Sequence, residues 1–114
     1  MEIPEKIIGN VCVLSVSGRL DAYASGDVER KLDSLITANH GQVVVDFSKL
    51  EYISSSGLRV LLAALKKVRK VPNGDLRLSG LQPYVKEVFD IAGFTQLFKL
   101  FATEDEAVNS FKAA

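Results

Sequence analysis

Little in this sequence could cross-link the chain or hold a metal. There is one cysteine, Cys12, and one histidine, His40, in 114 residues. A lone thiol closes no intramolecular disulfide, and a structural zinc framework needs several Cys or His at short spacing. A reducing compartment is the environment that suits this composition. Tryptophan is absent, only three prolines are present, and no linker or repeat interrupts the chain. A surplus of either charge is missing too: 14 Lys and Arg face 14 Asp and Glu. A chain whose main work is neutralising phosphates on DNA or RNA carries a basic excess, because that term dominates non-specific affinity. Direct nucleic-acid binding is therefore excluded as the expected function. No run of about 20 apolar residues exists to span a bilayer. The opening Glu2, Pro4, Glu5 and Lys6 supply neither the basic nor the apolar region of a secretory signal. The expectation is a cytoplasmic protein that reaches a membrane only through a partner.

What is present is an ordinary apolar content of 47%, enough at this length for one hydrophobic core. Residues 1–114 are thus expected to form a single domain. Val11 to Val16 is a β-branched run that ends at Ser17-Gly18 and reads as a buried strand, with Ile3 to Ile8 turning through Gly9-Asn10 to pair with it. Val28, Leu32, Leu35 and Ile36 then fall on one stripe of a helix, with Ser25 as its N-cap and Gly41 as its stop. Gln42 to Phe47 is a continuous apolar run of the kind seen in central parallel strands. Strand, helix and strand make a βαβ unit whose crossover is expected to be right-handed. A second helix runs from Ser56 to about Lys70, ended by Pro72-Asn73-Gly74. Asp75 to Ser79 is a strand. Pro83 opens a third helix whose inner face is Val85, Val88, Phe89 and Ala92 and whose stop is Gly93. Phe98 to Phe101 reads as a last short strand, and Thr103 with Glu106 forms a capping box for a final helix. The expected fold class is α/β: a mostly parallel central sheet with one antiparallel edge strand and about four helices packed on it.

In an open α/β sheet the functional groups gather beyond the carboxyl ends of the strands. Two segments should open there, Gly18-Arg19-Leu20-Asp21 and Leu50 to Gly57. Ser54, Ser55 and Ser56 at a helix start bring hydroxyls together with unpaired backbone N–H groups, an arrangement that favours negative charge. One of the three could serve only as a cap, Asp21 could serve only as a strand-end turn former, and Asp46 only as a solvated strand terminus.

Gly18-Arg19-Leu20-Asp21-Ala22, Val43 to Leu50, and Tyr52-Ile53-Ser54-Ser55-Ser56-Gly57-Leu58-Arg59 together resemble the STAS domain of bacterial anti-sigma factor antagonists, and the likeness covers essentially the whole chain. In that family a loop reading Asp-Ser-Ser-Gly-Leu precedes the second helix. Its serine just before the glycine is phosphorylated by the anti-sigma factor, which acts as a kinase. The resemblance implies that Ser56 is the phosphoacceptor, with Ser55 the second candidate. Asp21, Ser54, Ser55, Gly57 and Arg59 would then be partner-binding residues. Ser54 stands where the family has Asp, so a hydrogen-bonding group is kept and a charge is lost. The implied partners are an anti-sigma factor serine kinase and a phosphoserine phosphatase, and no metal or cofactor is implied. The alternative within binding modules is a STAS subunit of another assembly, in stress signalling or lipid transport.

Enzyme readings find little support. The loop lacks the first glycine of Gly-x-Ser-x-Gly, and nothing matches Gly-x4-Gly-Lys-Ser/Thr. His40 belongs to the far end of its helix from the serines. Asp21 and Asp46 are single, where a phospho-accepting receiver needs an acidic pair. A small nucleotide-binding or hydrolytic enzyme remains as the rival from another class. Residues 59–70 concentrate Arg59, Lys66, Lys67, Arg69 and Lys70 with no acid among them, a basic flank for the serine loop.

Overall fold

The computed structural model describes residues 1–112. β1 (Glu5–Ile8) and β2 (Val11–Ser15) form the expected hairpin, antiparallel with Ile8 opposite Val11. Gly9 makes its turn at φ +62°, in the left-handed region that an L side chain resists. From β2 onward the main sheet is parallel. β4 (Gln42–Asp46) lies beside β2 and beside β6 (Asp75–Ser79), and β7 (Leu100–Phe101) closes the far edge, giving the order β1-β2-β4-β6-β7.

Both faces of this sheet are covered at its centre, which explains why β2 and β4 read as apolar runs. Cys12, Leu14, Val43, Val45, Leu76 and Leu78 point to one face, where Val28, Leu32 and Leu35 of α1 (Ala22–Thr37) and Leu61, Leu65 and Val68 of α2 (Ser55–Val68) complete the larger core. Val85 and Phe89 of α3 (Pro83–Ile91) join it, and Phe89 packs at 6.0–6.5 Å, centroid to centroid, from Phe47, Phe94 and Phe98. Val11, Val13 and Val44 point the other way, against Ala107 and Val108 of α4 (Glu104–Ser110).

Several boundaries differ from the sequence expectation. α1 starts at Ala22, because Asp21 and not Ser25 is its N-cap, accepting from Ala24 N at 2.9 Å. Ser25 is buried inside the first turn and donates its Oγ–H to Asp21 O at 2.7 Å. The helix stops at Asn39 (φ +64°), not Gly41. His40 N donates to Leu35 O and Asn39 N to Ile36 O, the paired bonds of a Schellman ending. Gly41 is buried for another reason, since a Cβ there would lie 2.8 Å from Val71 Cγ1. α2 begins at Ser55, one residue before the expected start. Ala92 is exposed and not on the inner face of α3, whereas Gly93 (φ +78°) ends that helix as expected. Phe98 precedes the last strand, following a 3-10 turn at Phe94–Gln96 and plugging the core. Thr103 caps α4 by accepting from Glu106 N at 3.2 Å.

The largest difference lies in the two segments expected to be loops. Gly18–Leu20 is a strand, β3, and Leu50–Ile53 is another, β5. They form a separate two-stranded parallel sheet in which Leu20 sits opposite Ile53, with a register shift between Gly18 and Arg19.

Candidate functional site

The small β3–β5 sheet decides where the site lies. Each of its strands runs directly into a helix: Leu20 into α1 through Asp21, and Ile53 into α2 through Ser54. Because Leu20 and Ile53 are register partners and Ser54 N donates to Leu20 O at 2.9 Å, the two helices begin side by side. Neither carries an acidic residue in its first helical turn. Two N-terminal dipole ends, each equivalent to roughly half a positive charge, are thereby placed together on one edge of the molecule.

The three serines have different tasks. Ser54 is the N-cap of α2: its Oγ accepts from Gly57 N at 3.1 Å and its carbonyl accepts from Leu58 N at 3.0 Å. Ser55 is the first helical residue and is exposed. Ser56 follows, half-buried, and its Oγ accepts from Nη2 of Arg59 at 3.3 Å. The backbone N–H groups of Ser55 and Ser56 have no acceptor among the described residues, as expected for the first turn of a helix. Gly57 is buried against the floor of the site. A Cβ on it would lie 2.9 Å from Ile53 Cγ1 and 3.0 Å from Leu20 Cγ, so its lack of a side chain lets α2 descend onto β3 and β5.

Asp21 lies at the same edge, half-buried, with its carboxylate turned to Ala24 N. The structure therefore brings together Asp21, Ser54, Ser55, Ser56, Gly57 and Arg59. It gives Asp21 and Ser54 capping bonds and Gly57 a packing position. Two of the later basic residues are engaged elsewhere: Lys67 of α2 pairs with Asp33 of α1 at 3.0 Å, and Arg69, just past the end of α2, bonds Asp75 and the Leu97 carbonyl. Arg59 has no ion-pair partner among the described residues.

Two nearby side chains escaped the sequence reading. Tyr23, in the first turn of α1, is 91% exposed, a large apolar ring with no packing duty. The available signal was that position 23 falls off the stripe formed by residues 24, 28, 32 and 35. Arg19 of β3 lies over the ring of Tyr52 of β5, 4.2 Å from its centroid, in the geometry of a cation–π pair.

Asp46, at the carboxyl end of β4, is a structural tie. Its carboxylate accepts from Ser48 Oγ at 2.6 Å and Ser79 Oγ at 2.8 Å, while Gln82 donates to the Ser48 carbonyl. The ends of β4 and β6 and the turn into β5 are thus fastened together. A depression of about 600 Å³ at the opposite edge of the sheet is lined by Arg69, Asp75, Arg77 and Lys99. Its guanidinium groups already serve Asp75, Ser110 and Leu97, so the serine edge is the better-founded site. His40 lies past the far end of the 16-residue α1, about 24 Å along the helix from the shared start. A Ser-His arrangement is therefore not formed with these serines.

Fold and site together define a small open-sheet α/β domain that presents a serine-bearing helix start beside a second helix start. The STAS domain family model matches residues 2–107, and the chain belongs to the STAS domain family. A Bordetella bronchiseptica protein named as a candidate anti-sigma factor antagonist, BtrV, is 33% identical over 114 residues, covering 100% of this chain and 97% of that one. The anti-sigma F factor antagonist of Paenibacillus polymyxa is 29% identical over 101 residues, covering 88% and 83%. Among solved structures, the anti-sigma factor antagonist SpoIIAA in its unphosphorylated form superposes with a TM-score of 0.86 at 23% identity, over 99% of this chain and 98% of that one. The phosphorylated form of the Bacillus SpoIIAA gives 0.76 at 22%, over 96% and 98%. These structures establish the shared fold. No helix among the described residues is long and apolar enough to cross a membrane.

Proposed function

We propose that the chain is an anti-sigma factor antagonist. It binds an anti-sigma factor across the edge where α1 and α2 begin, frees the sigma factor to which that partner was bound, and is switched off by phosphorylation of Ser56. The observation that carries this reading is the division of labour among the serines: Ser54 is committed as the cap, leaving Ser56 with a free hydroxyl proton on a helix start. The names of the full-length relatives supply the partner class.

The switching step is a phosphoryl transfer. Ser56 Oγ bonds to the γ-phosphorus of ATP held by the anti-sigma factor, its proton passes to a base of that kinase, and ADP leaves. Arg59 donates to the oxygen of Ser56, so the hydroxyl's own proton stays available to that base. The product carries about −1.5 to −2 charges at pH 7. At a helix start that charge suits the fold. Under a partner it must be desolvated, so the complex weakens while the domain stays folded. A phosphoserine phosphatase restores the hydroxyl by passing the phosphoryl group to water. The protein itself is a substrate and not a catalyst.

The test is an affinity capture from the source cells with native and Ser56→Asp baits, paired with labelled-ATP incubation with and without extract. The native bait should retain a protein kinase that Ser56→Asp loses. Label should enter only with extract, be abolished in Ser56→Ala, and persist in Ser55→Ala. Equal retention by both baits would refute the switch.

A further inference from the structure

Among the described residues, Arg59 is the one guanidinium in contact with the serine cluster. It is exposed, it has no carboxylate partner among the described residues, and its Nη2 lies 3.3 Å from Ser56 Oγ, three residues along the same helix. Positions i and i+3 share a helix face, so this contact needs no rearrangement of the backbone. The other charged side chains at this end are differently occupied. Asp21 faces Ala24 N and Arg19 lies on Tyr52, while Glu51 is exposed on β5.

We infer that Arg59 is the residue that holds the phosphate once Ser56 is modified. This rests on Ser56 being the modified position. Phosphorylation places three acceptor oxygens just beyond the atom that Arg59 already reaches. A guanidinium pairs with phosphate through two parallel N–H bonds, a geometry that an ammonium group does not reproduce. The unpaired N–H groups of Ser55 and Ser56 flank the same position. The modified state is therefore a folded-back, internally paired phosphate. Arg59 also changes allegiance: in the unmodified protein its charge faces outward and is free for a partner's carboxylate, and in the modified protein it is neutralised from within. One phosphate then both adds negative charge to the docking edge and removes the positive charge beside it.

The test uses full-length protein with phosphoserine installed at position 56 during translation, so that it does not depend on any kinase or on whether cells modify Ser56. The second ionisation of the phosphate is followed by phosphorus NMR in the native, Arg59→Gln and Arg59→Lys backgrounds. A cation in contact favours the dianion, so Arg59→Gln should raise the phosphate pKa by about half a unit or more, allowing for solvent screening. Arg59→Lys should fall between the two. An Arg59→Gln protein that titrates like the native one overturns the inference, as does an Arg59→Lys protein indistinguishable from Arg59→Gln. Should Arg59→Gln fail to fold by circular dichroism, the native phosphoprotein decides by itself. The phosphate pKa of a free phosphoserine peptide falls from low to high KCl, whereas that of the native phosphoprotein should fall less or rise as salt screens Arg59, and a matching salt response overturns the inference.

Discussion

Ser54 commits its hydroxyl to the N–H of Gly57, and this makes the family's Asp-to-Ser departure tractable. Ser and Asp are both good N-caps, and replacing either with Ala costs about 0.5–2 kcal/mol. Ser54→Ala should lower stability by about 1 kcal/mol in urea unfolding, whereas Ser54→Asp should fold within about 0.5 kcal/mol of the native chain. The departure thus spares the helix and alters only the charge next to Ser56. Gly57 is less forgiving. A methyl group there meets Ile53 and Leu20, both at the rigid end of β3–β5. Gly57→Ala should cost about 1–3 kcal/mol from overpacking, read from the same unfolding curves. The sequence showed the serines and the glycine as a motif but not this difference between them, because which hydroxyl caps is decided by where the helix starts, a matter of one residue.

At the scale of elements, α1, α2 and α3 were legible from their apolar stripes, β2 and β4 from their apolar runs, and α4 from its capping box. β3 and β5 were not. Gly18–Leu20 and Leu50–Ile53 are three and four residues long and carry Arg19, Glu51 and Tyr52 on their outer sides, so neither alternates for long enough to be told from a loop. Their strand character comes from pairing with each other, which no local pattern encodes. α1 was misplaced by the same kind of ambiguity: Asp21 and Ser25 are both competent caps, and β3 delivers the chain to the first of them. That earlier start is what sets Tyr23 out on the shared edge. Exposed aromatic rings that become buried in a complex are frequent binding hot spots. Tyr23→Ala should weaken anti-sigma factor binding by about 1–2 kcal/mol or more, measured by titration calorimetry, with no shift in the unfolding midpoint. Asp46 and Ser79 join β4 to β6 through one 2.8 Å bond. The variants Asp46→Ala and Ser79→Ala should show a coupling energy of about 0.5–3 kcal/mol in a double-mutant cycle.

Across the whole molecule, part of the balanced charge forms ion pairs that fasten distant segments. Lys6 of β1 reaches Glu104 of α4 at 2.7 Å, and the hydrogen bond to Glu104 raises the Lys6 pKa above its ordinary 10.5. Its contribution is full below that ordinary value and fades as pH rises through the raised one. Asp27 is held below its ordinary 3.8, first by its hydrogen bond with the Met1 amine and then by that amine's charge and by Arg30. Its contribution is present above 3.8 and fades as pH falls through the lowered value. These two groups leave stability flat between 3.8 and 10.5, the buried Cys12 thiol makes it fall as pH rises above the thiol's ordinary 9.0, and Asp27→Asn should make the acid limb of a urea-midpoint profile shallower. The lone Cys12 is sealed in the larger core, where burial pushes its thiol pKa up. A thiol reagent should label it at the rate at which the core opens, and urea should accelerate that labelling in step with unfolding.

The β3–β5 ribbon has a mechanical consequence. Ser54 is bonded to Leu20 across the ribbon, and Gly57 rests on both of its strands, so the starts of α1 and α2 are two corners of one plate. In the proposed switch a partner that grips Tyr23 on one corner would meet a phosphate on the other at a fixed separation, and the signal would pass from Ser56 to the docking edge without any element having to travel. In amide hydrogen exchange, phosphoserine at position 56 should slow a few first-turn amides of α2 and leave the protection of α1 and the main sheet unchanged.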